Sequence, residues 1–351
     1  MVGKRAIIVN GDEEFEELAL SLGYQIVDRI TVRRKYPKYY MGRGKVEELK
    51  NRREEFDILI INDTLKVSQW FNLEKELGKE VYDKIKLIID VFAERAKSAE
   101  AKLQVELARL NYLMPMVREI VHQARRGEHP GFMGGGEYEV SQYYLLIRKR
   151  AKRIREKIEK LRMHRELRRS RRKELGFFTV AVAGYANSGK STLVKNLCGE
   201  ERVVIDGRMF STLSTKTTRL GKEKILLTDT VGFISDLPHE LVESFRATIE
   251  EIYEADLIIL LLDSSEPLEK FSKKFMASLE IIPEDRWERI IVALNKIDRN
   301  PKDLKEKIEI VKENIGKEPI LISAKYKWNL DILRNKILEE SSRGKGGGLS
   351  T

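Results

Sequence analysis

The feature of this 351-residue sequence that most restricts its fold is the octapeptide GYANSGKS, which begins at Gly184. It fits the pattern G-x-x-x-x-G-K-[ST], in which a glycine-rich turn wraps backbone N–H groups around the phosphates of a nucleotide. The apolar segment Val180–Ala183 precedes it and the helix-like segment Thr192–Leu197 follows it, which is the strand, loop and helix order that this motif needs. The sequence therefore predicts a nucleotide-phosphate site at the end of a buried strand.

Two side chains of this motif have predicted chemical roles. Lys190 is expected to reach the β- and γ-phosphates, and the hydroxyl of Ser191 is expected to ligate Mg²⁺. The helix that follows adds the positive end of its dipole. The other positions of the predicted phosphate cradle are Gly184, Tyr185, Ala186, Asn187, Ser188, Gly189 and Thr192.

Three further motifs follow in the order that a GTPase requires, each after an apolar stretch typical of a strand. They are Asp229-Thr230-Val231-Gly232, Asn295-Lys296-Ile297-Asp298 and Ser323-Ala324-Lys325. The carboxylate of Asp229 can hold Mg²⁺ through water, and the N–H of Gly232 can meet the γ-phosphate.

The second of these motifs separates guanine from adenine. The Asp298 carboxylate can accept hydrogen bonds from both N1–H and the amino group of guanine, and adenine cannot supply that pair. Discrimination by buried polar groups of this kind can be steep. A backbone N–H of the segment from Ser323 to Lys325 can meet guanine O6. The sequence therefore indicates a GTP-hydrolysing enzyme rather than an unspecified NTPase.

The loop that senses the γ-phosphate must lie between the first two motifs. The segment Phe210-Ser211-Thr212-Leu213-Ser214 and the residues after it are rich in hydroxyl groups, which is a poor composition for a helix or a core strand. A mobile loop whose threonine ligates Mg²⁺ in the GTP state fits better. We choose Thr212, and the pattern leaves Thr215, Thr217 and Thr218 as rivals. The catalytic candidates are then Lys190, Thr212 and Gly232, and the candidate Mg²⁺ ligands are Ser191, Thr212 and Asp229.

Two positions bear on the rate of hydrolysis. Phe233 follows Gly232 where Ras-type enzymes carry the glutamine that orients water, and a phenyl ring cannot do this. Intrinsic turnover of GTP is therefore expected to be slow and to be completed by another element or a partner. Asn187, at the fourth position of the P-loop, can help to place a monovalent cation at the phosphates; the alternative is an ordinary turn residue.

A basic run between Arg148 and Glu174 carries fifteen Lys and Arg against four Glu, an imbalance larger than the net charge of +10 of the whole chain. Four acids cannot pair fifteen bases, so salt bridges along a solvated helix face do not account for the run. The helix 148–173 is therefore predicted to face a polyanion, with RNA as the favoured partner. Its scarcity of aromatic residues indicates contact with phosphates rather than base stacking.

The remaining patterns predict the domain order. Residues 1–92 alternate strands and helices, with Lys86–Val91 as the fourth strand, which predicts a parallel α/β sheet. Residues 93–175 carry two apolar stripes at spacings of three and four, which predict a long antiparallel helical hairpin whose basic residues lie mainly off the stripe and face outward. Pro115 should kink or offset the first of these helices. Residues 176–340 form a second α/β domain around the nucleotide motifs, and the glycine-rich residues 341–351 are expected to be disordered.

Composition excludes several classes of protein. The single cysteine, Cys198, allows neither a disulfide framework nor a cysteine-based metal site. No apolar run approaches the roughly 20 residues that span a bilayer, and the N-terminus lacks the apolar core of a signal peptide. We expect a cytoplasmic protein with no membrane contact and no small-molecule substrate other than GTP.

The sequence resembles the HflX family of translational GTPases, and the resemblance covers nearly the whole chain to about residue 340. It is carried by LTDTVGFISDLPH from Leu227, FRAT from Phe245, GRGKVEEL from Gly42, DVFAERA from Asp90 and EAKLQVEL from Glu100. It implies an N-terminal α/β domain, a helical hairpin and a Ras-like G domain.

The resemblance also implies a function. Members bind the large ribosomal subunit, the ribosome stimulates their GTP hydrolysis, and some split stalled ribosomes. Here the basic helix and the N-terminal domain would contact ribosomal RNA. By the same resemblance Ser191 and Thr212 ligate Mg²⁺, and Asn187 matches the P-loop asparagine of potassium-activated GTPases.

The sequence departs from the family pattern at two loops. Gly131–Glu137 stands where an Arg-Gly-Pro-Gly-Glu-Thr-like string is usual, and Ser214-Thr215 stands where the family has Asp-Pro. Two other functions stay open at this stage. One is a regulatory GTPase whose helical hairpin docks a protein partner. The other is an RNA-remodelling NTPase that uses the N-terminal domain, where Gly42-x-Gly44-Lys45 is a weak phosphate signal.

Overall fold

The computed structural model describes residues 3–125, 137–199, 216–233 and 250–346. The chain divides into two compact units, and the boundary between them lies within one long helix, between Lys160 and Leu161. No helix within the described ranges is both long and apolar enough to cross a membrane.

The first unit contains a four-stranded parallel sheet of order β2-β1-β3-β4. Its strands are β1 (Arg5–Val9), β2 (Gln25–Ile30), β3 (Ile58–Ile61) and β4 (Glu80–Tyr82). Its helices are α1 (Glu13–Ser21), α2 (Arg43–Asn51), α3 (Val67–Leu77) and α4 (Lys84–Arg95). The two central strands, β1 and β3, are almost wholly buried, as expected for apolar runs in a parallel sheet covered on both faces. The predicted parallel α/β architecture is confirmed.

One predicted strand is wrong, because Lys86–Val91 lies inside α4. Asp83 caps this helix by accepting a hydrogen bond of 2.8 Å from the Lys86 N–H. The fourth strand is instead the short β4, three residues long. A brief apolar run with β-branched residues does not separate a buried strand from a helix that is buried on several sides. The buried apolar residues of α4 are Ile85, Leu87, Ile88, Ile89, Val91 and Phe92.

Two long helices follow the sheet, α5 (Ala99–Arg125) and α6 (Glu137–Glu174). Helix α5 continues through Pro115. The two helices pack against each other through the predicted apolar stripes. The buried residues of this contact are Leu107, Leu110, Val117, Ile147, Ala151 and Ile154.

The second unit contains a six-stranded sheet of order β10-β9-β8-β5-β7-β6, in which only β6 runs antiparallel to its neighbour. The strands are β5 (Phe178–Ala183), β6 (Lys216–Arg219), β7 (Ile225–Asp229), β8 (Leu257–Asp263), β9 (Ile290–Asn295) and β10 (Ile320–Leu321). The helices are α7 (Lys190–Cys198), α8 (Leu268–Ile281), α9 (Leu304–Ile315) and α10 (Leu330–Gly346). Because the other strands are parallel, their carboxyl ends meet at one edge of the sheet, where ligands of such folds bind.

Candidate nucleotide site

The P-loop follows β5 and its glycines are required by the backbone. Gly184 has φ 145°, and a Cβ at this position would lie 2.2 Å from the Leu261 carbonyl oxygen. Gly189 has φ 101°, and a Cβ there would lie 2.4 Å from Asn295 Nδ2. The positive φ angles and the close contacts together exclude residues other than glycine at these two positions. The turn therefore delivers its backbone, followed by the N-terminus of α7, to the carboxyl edge of the sheet, which is the cradle that the sequence predicts.

Lys190, the first residue of α7, is 7% exposed, and its ammonium group folds back onto the loop. Its Nζ donates to the carbonyl oxygens of Gly184, at 3.0 Å, and of Tyr185, at 2.7 Å. Burial lowers the pKa of Lys190 to about 8, and the nearby carboxylate of Asp229 opposes this shift. The group is thus a buried, only partly compensated cation in the centre of the cradle.

The two described candidates for metal ligation face each other. Ser191 Oγ donates a hydrogen bond of 2.6 Å to Asp229 Oδ2, and Asp229 is the last residue of β7. A hydroxyl and a carboxylate are hard oxygen donors of the kind that Mg²⁺ prefers. The donor set therefore fits the predicted magnesium site, and these two groups would hold the ion.

The segment after Asp229 packs directly on the P-loop. Thr230 is buried and its Oγ1 donates to the Val182 carbonyl at 2.7 Å. A Cβ on Gly232 would lie 2.7 Å from the Cα of Ala186 and 3.0 Å from Lys190 Nζ, so only glycine fits. Val231 beside it is buried.

Phe233 continues this contact and joins the P-loop as a short parallel bridge. Its N–H donates to the Gly184 carbonyl at 3.0 Å, and its carbonyl accepts from the Ala186 N–H at 2.9 Å. The buried ring meets the edge of the Tyr185 ring, with 6.1 Å between centroids. A ring held in this way contributes packing and leaves no polar atom to orient water.

The side chain of Asn295, the last residue of β9, forms hydrogen bonds with the backbone of two other loops. Its Nδ2 donates to the Ser188 carbonyl at 2.7 Å, and its Oδ1 accepts from the Ala324 N–H at 2.8 Å. It therefore ties the P-loop to the loop after β10. The sequence motif marked the position but not this bridging role, because nothing local shows which loops meet.

Asp298 is oriented by the loop after β10. Ser323 Oγ donates to Asp298 Oδ1 at 2.6 Å, which directs a half-buried carboxylate beside the P-loop edge. Lys296 has φ 65°, and its Nζ lies 2.5 Å from Asp263 Oδ2. This arrangement presents one oriented acceptor group at the position where the sequence predicts guanine recognition.

The structure describes most of the other predicted site residues and places them on the same edge. Ser188 is buried and Asn187 is exposed with φ 61°, whereas Lys325 is exposed in the loop after β10. The half-buried positions are Ala186, Ser191, Thr192 and Ile297. The segment Phe210–Ser214, with Thr212, lies outside the described residues, as does Thr215. The rivals Thr217 and Thr218 belong to the edge strand β6, where Thr217 Oγ1 lies 3.2 Å from Thr228 Oγ1.

The basic run divides between the two units. In the first unit its cations are exposed, as predicted. Beyond Leu161, where α6 belongs to the second unit, Arg162, Arg165 and Arg169 are half-buried, and for these three the predicted outward orientation is wrong. They form ion pairs at 3.3 to 3.7 Å with glutamates of the segment that leads into β8. The pairs are Arg162–Glu250, Arg165–Glu250, Arg169–Glu251 and Arg169–Glu254.

The N-terminal sheet has no comparable cradle among its described residues. At its switch point, between β1 and β3, the Asn10 side chain accepts from the Val32 N–H at 2.7 Å and donates to Tyr40 Oη at 3.2 Å. Asn62 Nδ2 donates to the Asn10 carbonyl, and the first turn of α1 is acidic. Side chains therefore fill the position where a nucleotide would bind in such a sheet.

Comparison with known families gives three matches that lie between residues 11 and 296. A family described as the N-terminal region of GTP-binding GTPases matches residues 11–93, and its middle region matches residues 95–172. A family described as "50S ribosome-binding GTPase" matches residues 179–296. These three segments follow the observed sheet, the helical pair and the P-loop domain.

Relatives and solved structures agree with these matches. The chain is 46% identical to the GTPase HflX of Thermococcus kodakarensis over 86% of its length and 70% of the relative. It is 40% identical to that of Methanocaldococcus jannaschii, over 93% and 82%. A GTP-binding protein of Sulfolobus solfataricus crystallised with GDP shares 28% identity over 97% and 99% of the two chains, with a TM-score of 0.54.

Proposed function

This chain belongs to the HflX family of GTPases, and on that premise we propose that it is a cytoplasmic, GTP-switched factor that associates with the large ribosomal subunit. It binds and hydrolyses GTP. The observation that carries the ribosomal part of the proposal is the exposed basic face of α6. The match of residues 179–296 to a 50S ribosome-binding GTPase family agrees with it. In this proposal the helix and the N-terminal domain contact ribosomal RNA through its phosphates.

Each proposed role in hydrolysis is assigned to a named group of this chain. Lys190 contacts the β- and γ-phosphates, Asp298 reads guanine, and Ser191 with Asp229 holds Mg²⁺. Bound Mg²⁺ supplies charge neutralisation at the phosphates. We assign the remaining Mg²⁺ ligand to Thr212 and the contact with the γ-phosphate to the Gly232 N–H, and both assignments rest on sequence position.

Catalysis is proposed to be slow until the ribosome is bound. The support is the packed ring of Phe233, which offers no group that could orient the attacking water. We also propose that the Asn187 side chain helps to hold K⁺ at the phosphates. Its exposure and left-handed backbone on the P-loop support that role.

The first test is co-sedimentation with ribosomal subunits in the presence of a non-hydrolysable GTP analogue or GDP. A ligand can shift docking only if the two nucleotide states differ in affinity for the ribosome. We expect pelleting with the large subunit that depends on the analogue. Equal pelleting in the two states would contradict the switch.

Salt dependence tests the basic helix. Changing Lys149, Arg153 and Lys157 together to glutamine removes three exposed charges that lie at four-residue spacing on one face of α6. We expect weaker ribosome binding and a slope of log affinity against log salt that is shallower by about three. The matched control changes Lys273, Lys302 and Lys305, which are exposed elsewhere, to glutamine. An equal loss in both variants would show only a general charge effect.

The pKa of Lys190 predicts a pH dependence of GTP affinity. Since the pKa is about 8 without nucleotide and bound phosphates favour the charged amine, binding above pH 8 must take up a proton. We expect a constant affinity below about pH 7.5 and a fall towards tenfold per pH unit above pH 8.5. Calorimetry in buffers of different ionisation enthalpy measures the number of protons that are taken up when GTP binds. The variant Lys190→Arg stays charged and should show no uptake.

A further inference from the structure

The loop after β10 carries two large aromatic side chains that lie outside the hydrophobic core. Tyr326 is 53% exposed and Trp328 is 50% exposed. The centroids of their rings are 5.8 Å apart, and the ring planes are tilted by 32°. Single exposed aromatics are common, but an adjacent pair with similar orientation forms a continuous π surface.

The backbone holds this pair in a fixed position. Trp328 and Ser323 exchange two backbone hydrogen bonds of 3.1 and 3.3 Å, and Asn329 Nδ2 donates to the Leu321 carbonyl at 2.8 Å. Lys327 and Asn329 have φ values of 62° and 57°, which cost energy for residues other than glycine. A strained turn that is tied at both ends orders the backbone that carries the two rings before any partner arrives, which lowers the entropic cost of binding.

The charge around the rings favours one kind of partner. Lys325 Nζ lies 5.0 Å from the centroid of the Tyr326 ring, and Lys327 is exposed between the two aromatic residues. No acidic residue occurs from Ser323 to Leu330. A protein hot spot is usually surrounded by contacts that exclude water, whereas an ammonium group lies over one of these rings and a second exposed lysine stands between them in the sequence.

We infer that Tyr326 and Trp328 form a stacking platform for an unpaired base of single-stranded or looped RNA, with Lys325 and Lys327 beside its phosphates. Stacking on aromatic rings is how proteins bind unpaired bases, and it tolerates any base because each has a π face. The inference extends the proposed function, on which it rests only for the source of the RNA, the ribosome.

The platform is linked to the nucleotide site by two hydrogen bonds. The Tyr326 N–H donates to Ser323 Oγ at 3.2 Å, and Ser323 Oγ donates to Asp298 Oδ1 at 2.6 Å. An RNA base on the rings would therefore lie close to the loop that orients Asp298.

Tryptophan emission tests the platform directly. The chain has three tryptophans, and the indole N–H groups of Trp70 and Trp287 are bound to backbone carbonyls. The difference between wild type and Trp328→Phe isolates the emission of Trp328. We expect an unstructured oligoribonucleotide of about ten residues, at a salt concentration that suppresses phosphate contacts, to quench this emission.

Affinities supply the second readout. Trp328→Ala should weaken oligoribonucleotide binding about 5- to 150-fold, and Trp328→Phe should retain most of it. Ile332→Ala is the matched control, because it removes an exposed apolar side chain nearby without removing a ring. Wild type should bind an abasic oligonucleotide of the same length no better than Trp328→Ala binds the intact one. Tyr326→Ala repeats the test if Trp328→Ala does not fold, which GDP binding reports.

Two outcomes would overturn the platform: equal affinity of the alanine variants and wild type for the intact oligonucleotide, or unchanged Trp328 emission at saturation. Quenching by RNA-free ribosomal protein alone would also overturn it, in favour of a protein contact. Ribosome pelleting of the wild type is measured separately. If the wild type does not pellet with ribosomes but its rings still stack on the oligonucleotide, the ribosomal proposal is contradicted and the platform is supported. Pelleting with ribosomes without stacking on the oligonucleotide would support the ribosomal proposal and contradict the platform.

Discussion

Replacing Asp298 with asparagine is expected to exchange a preference for GTP for a preference for xanthosine triphosphate. In the proposed role the Asp298 carboxylate accepts from both N1–H and the amino group of guanine. An amide could accept only one of these hydrogen bonds, and its own NH₂ would face the guanine amino group. Xanthine carries an oxygen in place of that amino group, so the amide is complementary to it. We expect a loss of GTP affinity of about 100- to 10,000-fold.

The structure suggests that this substitution leaves the loop intact. Ser323 Oγ donates to Asp298 Oδ1, and an asparagine oxygen can accept the same hydrogen bond. Equilibrium binding of both nucleotides to wild type and Asp298→Asn measures the exchange. Asp331→Asn is the control, since it makes the same chemical change at an exposed carboxylate of α10. If affinity for both nucleotides fell equally, Asp298 would support the loop rather than read the base.

The phosphate cradle could be predicted because its determinants are local. The strand before the motif, the glycines and the helix after it lie within about 20 consecutive residues, and the left-handed φ values of Gly184 and Gly189 follow from the turn itself. The same holds for the parallel sheets, whose apolar strands alternate with helices along the chain.

Features that depend on distant partners could not be predicted from the pattern. The arginines of α6 look like a solvent-facing charge run until Glu250 and Glu251, some 85 residues later, are placed beside Arg165 and Arg169. The segment Lys86–Val91 is helical rather than the predicted strand, and the reason is related. Its apolar run is short, and only its surroundings decide between a buried strand and a buried helix.

Asn295 shows the same limit inside the site and leads to the second large expected effect. Its amide donates to the Ser188 carbonyl and accepts from the Ala324 N–H, and all three residues are buried. Asn295→Ala leaves one buried acceptor and one buried donor unsatisfied, at about 1–3 kcal/mol each. We expect the free energy of unfolding to fall by about 2–5 kcal/mol. The loss of guanine nucleotide affinity in Asn295→Ala should be at least tenfold larger than the loss in the control variant Asn314→Ala.

A second substitution separates the two halves of this bridge. Asn295→Asp keeps an acceptor for the Ala324 N–H but places a carboxylate oxygen against the Ser188 carbonyl, 2.7 Å from the present donor. Because Ser188 belongs to the P-loop and Ala324 to the loop after β10, this variant should disturb phosphate binding more than base recognition. Its affinity for GTP and GDP should fall strongly, while the ratio of GTP to xanthosine triphosphate affinity stays near that of wild type. Chemical denaturation and nucleotide titration measure both quantities, and a variant that bound GTP as wild type does would show that the hydrogen bond to Ser188 does not hold the cradle.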